Sequence, residues 1–253
     1  METSKIALVT GASRGLGKNM AIALAQKGND VIITYNSKKE EAEEVVSTIE
    51  FLGRKATAIP LNVGEAKTFT DFSLQLTRVL KEKWNSTNFH FLVNNAGIGI
   101  NTPFAETTEE QFDLLTNIHF KGVYFLTQKL LPLIADGGRI ITVSTGLTRF
   151  AMPGYSVYAS LKGAIEVLTK YLAKELGARG IAVNTIAPGA IETDFGGGVV
   201  RDNEQVNKVI AANTALGRVG LPDDIGGVVA FLCAEEARWV NAQRLEVSGG
   251  MNL

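Results

Sequence analysis

Seven short β-rich runs alternate with helix-length segments along the chain, and this alternation limits its fold more than any other feature. The runs are residues 6–10, 31–35, 56–61, 89–93, 139–143, 181–186 and 244–247. Most are continuously apolar, the pattern of strands buried on both faces of a parallel sheet. Between them, residues 17–27 carry Met20, Ile22, Ala23 and Leu24 on one stripe. Residues 38–52 set charges against Ala42, Val45, Val46 and Ile49. Further helices are predicted over 65–83, 108–135, 156–178 and 222–234. Strands alternating with helices predict right-handed crossovers and a doubly wound α/β sheet of about seven parallel strands, with helices on both faces. No linker or repeat interrupts the pattern, so 1–253 reads as one domain. The stretch 189–215, with Gly196, Gly197 and Gly198 inside it, is the least regular and is expected to form a lid over a substrate site.

Composition narrows the function classes. Lys and Arg total 25 and Asp and Glu 26, a net charge of −1 that gives no electrostatic reason to expect nucleic acid or an acidic membrane as partner. One cysteine, Cys233, excludes a disulfide framework within the chain and reads as a core residue. Two histidines argue against a His-based metal centre, and no metal is expected. His90 falls in a strand, and His119 is expected to point away from any site. The acidic run Glu40, Glu41, Glu43 and Glu44 reads as a solvated helix face. No apolar run reaches membrane length, no signal-peptide core precedes the first strand, and a cytoplasmic enzyme is the expectation. Glycine is high, at 26 residues.

One cluster of those glycines lies where the first strand meets the first helix, in Thr10-Gly11-Ala12-Ser13-Arg14-Gly15-Leu16-Gly17. Glycines allow close backbone approach to a pyrophosphate, and a helix N-terminus supplies N–H donors and a positive dipole end. A second motif, Tyr158-Ala159-Ser160-Leu161-Lys162, sets a phenol and an ammonium one helical turn apart on one face. A neighbouring ammonium favours the phenolate, drawing a poor acid toward working pH.

The G-x-x-x-G-x-G spacing with Y-x-x-x-K resembles the short-chain dehydrogenase/reductase family over most of the chain, from Lys5 to Gly250. The resemblance implies a single Rossmann-type domain and reversible hydride transfer between a nicotinamide and a carbonyl/alcohol carbon. It implies Tyr158 as proton donor, Lys162 as its activator and a ligand of the nicotinamide ribose, and Asn117 as holder of a relay water on a kinked helix. A hydroxyl thirteen residues before the tyrosine is expected to polarise the carbonyl; Thr145 stands there, and a one-residue insertion in the loop would move the role to Ser144. Gly11, Ser13, Gly15, Leu16 and Gly17 would hold the diphosphate. Asn94, Asn95, Ala96 and Gly97 resemble the family's NNAG, which supports the sheet and touches the adenosine, with Asn94, Ala96 and Gly97 as the cofactor contacts, and Asn62 and Val63 stand at its usual adenine position. Pro188, Gly189, Ile191 and Thr193 resemble its PG…T segment at the carboxamide and a phosphate.

Tyr35 stands where an NAD-type aspartate would end the second strand. Arg14 and Lys38 offer positive charge nearby, and Asn36 and Ser37 neutral donors, so NADP(H) is the expected cofactor. By resemblance a homotetramer is expected, through the apolar stripe Ala164, Val167, Leu168 and Tyr171 and the tail 247–253. Leu147, Phe150, Met152, Tyr155 and Phe195, with Arg149 the one nearby cation, suit a hydrophobic or aryl small-molecule ketone. The alternative is 3-oxoacyl-[acyl-carrier-protein] reduction, in which Arg179 would meet an acidic carrier; Asp136 replaces a base at a second docking position. A non-catalytic dinucleotide sensor is the alternative of another class.

Overall fold

The computed structural model describes residues 4–253. Seven parallel strands form one sheet: β1 (Ile6–Val9), β2 (Asp30–Tyr35), β3 (Ala56–Pro60), β4 (Phe89–Asn94), β5 (Ile134–Val143), β6 (Ala182–Pro188) and β7 (Arg244–Val247). Their order is β3-β2-β1-β4-β5-β6-β7. Sequence order therefore reverses direction between β1 and β4, and a crevice opens beyond the carboxyl ends of those two strands.

Successive strand residues feed opposite faces. Ala7, Val9, Val31, Ile33, Ile141 and Ile186 pack under α1 (Gly15–Gln26), α2 (Lys39–Phe51) and α9 (Asp223–Cys233). Ile6, Leu8, Ile32, Ile140 and Val183 pack under α3 (Phe69–Trp84), α5 (Gly122–Leu130) and α6 (Ser156–Leu176). This two-sided burial explains why the strands are apolar without alternation. Cys233 lies in the first of these cores.

Three segments differ from the expected boundaries. The helix expected over 108–135 is α4 (Glu109–Thr116), a π-helical turn (Asn117–Lys121) and α5, and Pro132 in a 3-10 turn then stops it. Strand β5 begins at Ile134 rather than Arg139, reaching its full length through a register shift opposite Phe89 and Phe91. The stretch 189–215 is mostly ordered helix: a 3-10 turn (Phe195–Gly198), α7 (Val199–Asp202) and α8 (Glu204–Ala212), the last capped by Asn203. No helix among the described residues is long and apolar enough to cross a membrane.

Candidate active site

A cleft of about 800 Å³ runs from the β1–α1 turn to α8 along the carboxyl edge of the sheet. At its floor the Thr10 hydroxyl accepts from the N–H groups of Asn95 (3.0 Å) and Ala96 (3.1 Å). Asn95 Nδ2 donates to the carbonyls of Thr10 (2.9 Å) and Gly11 (3.1 Å), so the segments after β1 and β4 hold each other. A Cβ on Gly11, at φ +62°, would lie 2.8 Å from Ala96 Cα, and one on Gly17 would collide with the Gly11 carbonyl. These glycines bring the N-terminus of α1 down onto the turn, making the backbone cradle that a dinucleotide diphosphate requires.

Gly11, Ser13, Arg14, Gly15, Leu16 and Gly17 all line this end of the cleft, with Asn36, Ser37 and Lys38 beside them. No acidic residue of β2 or the turn after it reaches the lining. Both cations have partners: Arg14 meets Asp194 at 3.2 Å and Lys38 meets Glu41 at 3.2 Å. Asn62 and Val63 line the wall, and Asn62 Oδ1 accepts from the Gly64 N–H (3.0 Å). Ala96 and Gly97 line the cleft, whereas Asn94 does not; its amide is buried against the Thr127 hydroxyl at 3.1 Å. Asn95, part of the motif but not singled out as a cofactor contact, faces the cleft instead. Pro188, Gly189, Ile191 and Thr193 close the far side, where the Thr193 hydroxyl accepts from the Phe195 N–H (3.2 Å).

Tyr158 and Lys162 stand one turn apart on α6, both buried and both in the cleft. The ammonium lies 5.6 Å from the phenol ring centroid and donates to the Val143 carbonyl at 2.6 Å. Burial pulls Lys162 down to about 8. The sequence reading has the lysine drawing the phenol down. In this structure burial dominates and raises the phenol pKa well above its usual value, against the opposing Thr145 hydroxyl. The phenol is thus held protonated.

Between the two candidate hydroxyls, only Thr145 faces Tyr158. Ser144 also lines the cleft, but its Oγ is engaged elsewhere, donating to Glu166 Oε1 at 2.6 Å. Arg244 completes that network, reaching Glu166 at 2.8 Å and the Thr145 carbonyl at 3.1 Å, and so fixes the turn that carries Thr145. Asn117 lies half-buried at the start of the π-helical turn and does not line the cleft. His119 does. Its ring is wholly buried, 5.0 Å from the Tyr158 ring at 88°, contrary to the expectation that it points elsewhere. The wide π turn shifts the angular position of every later residue, and an ideal 3.6-residue period cannot foresee that.

Beyond Tyr158, Leu147, Phe150, Met152, Tyr155 and Phe195 line an apolar chamber, joined by Val206, Ile210 and Met251 from α8 and the tail. The Phe195 ring lies 5.7 Å from that of Tyr158. Arg149, expected nearby, is instead paired with Glu246 at 2.8 Å and bound to the Asn252 carbonyl at 2.7 Å. Among the described residues, no cation therefore lines the chamber apart from Lys162 behind the phenol.

A protein-family model described as enoyl-(acyl carrier protein) reductase matches residues 11–252. A hydroxynaphthalene reductase-like protein of Metarhizium brunneum is 35% identical, over 97% of this chain and 94% of its own. Two solved structures superpose with a TM-score of 0.94. One is LugOII, described as a promiscuous reductase catalysing keto-reduction at C1 during lugdunomycin biosynthesis, at 37% identity over 100% of both chains. The other is the angucycline C-6 ketoreductase LanV with bound NADP, at 36% identity over 99% of this chain and 96% of its own. With its glycine cradle, its Tyr158–Lys162 pair and a sheet shared along its whole length with these reductases, the chain belongs to the short-chain dehydrogenase/reductase family.

Proposed function

We propose that the protein reduces a hydrophobic, aryl-bearing ketone to a secondary alcohol with NADPH, reversibly, as a single-domain subunit of a homotetramer. One observation carries the reading: a buried, protonated phenol stands between a dinucleotide cradle and an apolar chamber free of substrate-facing cations. The hydroxynaphthalene reductase and polyketide ketoreductase relatives support the substrate class, and NADP bound in LanV supports the cofactor.

When bound, the nicotinamide supplies the hydride. The Gly11–Gly17 turn fits its diphosphate, Arg14, Asn36, Ser37 and Lys38 its phosphorylated ribose, and Ile191 and Thr193 its carboxamide end. Thr145 holds the ketone oxygen by its hydroxyl. Tyr158 carries the proton at Oη and delivers it to that oxygen as negative charge develops there. Lys162, one turn away, steadies the charge left on the phenolate. Phe195, Phe150 and Tyr155 present flat apolar surface to an aryl ring and keep water from the phenol.

The carrier-protein alternative loses its docking cation here. Arg179 Nε meets Asp136 at 2.7 Å, and its other nitrogens reach the carbonyls of Leu131 and Ile134. An arginine neutralised by its own chain is a poor lure for an acidic partner. The deciding experiment follows NADPH and NADH oxidation with aryl ketones such as acetophenone, and with a 3-oxoacyl thioester on carrier protein and on a short thiol. Aryl-ketone turnover with NADPH preferred, lost in Tyr158→Phe with cofactor binding intact, is the expected result. Activity confined to the carrier-bound thioester would overturn the substrate, and NADH equal to NADPH the cofactor. Cofactor binding without any turnover would favour the sensor.

A further inference from the structure

His119 is the one buried titratable side chain of the cleft that this mechanism leaves without a role. It has no solvent exposure. Its Nε2–H donates to the Ile98 carbonyl at 2.8 Å, while the Ile98 N–H lies farther off, at 3.4 Å. Nδ1 has no hydrogen-bond partner among the described residues. A buried ring nitrogen left unpaired costs stability, and a ring kept there despite that cost calls for a role. The ring meets Tyr158 edge to face, 5.0 Å between centroids and 88° between planes. Its other side presses on the chain after β4, where a Cβ on Gly97 would come within 2.8 Å of Cε1. Burial first and the Lys162 charge second hold the imidazole down to about 3. It is therefore neutral at any working pH and exchanges no proton with the substrate.

We infer that His119 is a positioning residue for Tyr158: wedged between the chain after β4 and the phenol, its ring fixes the orientation of the phenol and seals it from water. The groups packed around that phenol are Lys162 from its own helix, Tyr155 at that helix's N-cap, Thr145 from the turn after β5, His119 from the π-helical turn and the apolar Phe195 from the 3-10 turn before α7. Lys162 and Tyr158 are the ionisable neighbours of the imidazole itself. Opening a gap at His119 admits water, which stabilises the phenolate and lowers the pH at which Tyr158 ionises. The same gap lets the phenol leave the geometry for proton delivery, where a displacement of about 1 Å costs up to roughly a hundredfold in rate.

The inference rests on the proposed reduction for its kinetic arm and is independent of it for its spectroscopic arm. His119→Ala, His119→Asn and His119→Phe are compared with the unaltered protein, each with and without Tyr158→Phe. Ultraviolet titration then isolates the ionisation of Tyr158 by difference. In His119→Ala, kcat is expected to fall roughly tenfold or more with KM and NADPH affinity little changed, and Tyr158 to ionise at least about one pH unit lower. His119→Phe keeps an aromatic edge and is expected to restore both; His119→Asn is not. Unmoved Tyr158 ionisation in His119→Ala would overturn the inference, whatever the turnover. If His119→Ala does not fold, His119→Phe decides. Ionisation and kcat near those of the unaltered protein support a ring that positions, and a roughly tenfold loss of kcat at unchanged melting temperature overturns it. Absence of ketone turnover in the unaltered protein would remove the proposed function and leave the titration standing.

Discussion

Lys162 shows what burial does to a charge that chemistry needs. The residue is 4% exposed, and its ammonium is offset by one carbonyl at 2.6 Å. Its pKa falls from 10.5 to about 8 in the fold. The unfolded chain therefore binds more protons than the folded one between pH 8 and 10.5, and stability rises with pH across that window. Below about 8 the cost of the buried charge is fully present, on the order of 3 kcal/mol. Lys162→Met removes it, so this variant should melt above the unaltered protein at pH 7 and lose that advantage by pH 10, with no turnover at either. Calorimetry of the two proteins across that range checks the sign; a constant difference in melting temperature would refute it. The Tyr158–Lys162 pairing itself was legible in the sequence, because residues four apart on a helix share a face whatever lies around them. The state of the phenol was not, because its rise comes from burial, and His119 and Phe195, which wall the ring, are distant along the chain.

At the scale of elements, the β1–α1 junction is the most exactingly packed. Gly17 is buried in the first turn of α1 against the Gly11 carbonyl and Asn95 Nδ2. Gly17→Val must push the helix away from the turn. Overpacking of this kind costs about 1–3 kcal/mol, and the displaced N–H donors should weaken NADPH binding more than they slow turnover at saturating cofactor. Thermal melts and fluorescence titration with NADPH separate the two effects; unchanged cofactor affinity would show that the turn does not serve the diphosphate. The stretch 189–215 is tied to the same turn. Asp194 bridges Arg14 of the β1–α1 turn (3.2 Å) and Arg201 of α7 (2.6 Å). The irregular stretch expected from its glycines is thus an ordered pair of helices, because Asn203 caps the second and Ile210 buries beneath it.

For the whole molecule, strand order decides where ligands go, and exposed surface points to assembly. Helices α4, α5 and α6 leave Leu114, Tyr124, Val167 and Tyr171 exposed, the last at 64%. Val167 and Tyr171 of the expected stripe therefore face outward, away from the chain's own core. So much exposed apolar surface on one set of helices favours burial against other copies. Light scattering at micromolar concentration should return the mass of a tetramer, and Tyr171→Glu should dissociate it; a monomer in the unaltered protein would overturn the proposal. By itself, the sequence determined the parallel sheet, its seven strands and the glycine cradle. These rest on local period, on burial of both strand faces and on junctions read within a few residues. Tertiary structure alone decided that Thr145 rather than Ser144 faces the phenol, and that Asn95 rather than Asn94 faces the cleft. It alone placed His119 in the cleft while Asn117 stayed outside, and paired Arg149 with Glu246 and Arg179 with Asp136. The reason is common to all of them. One residue's step along a strand end, or the extra residue of a π turn, swings a side chain to another face, and only the contacts waiting there determine which face it keeps.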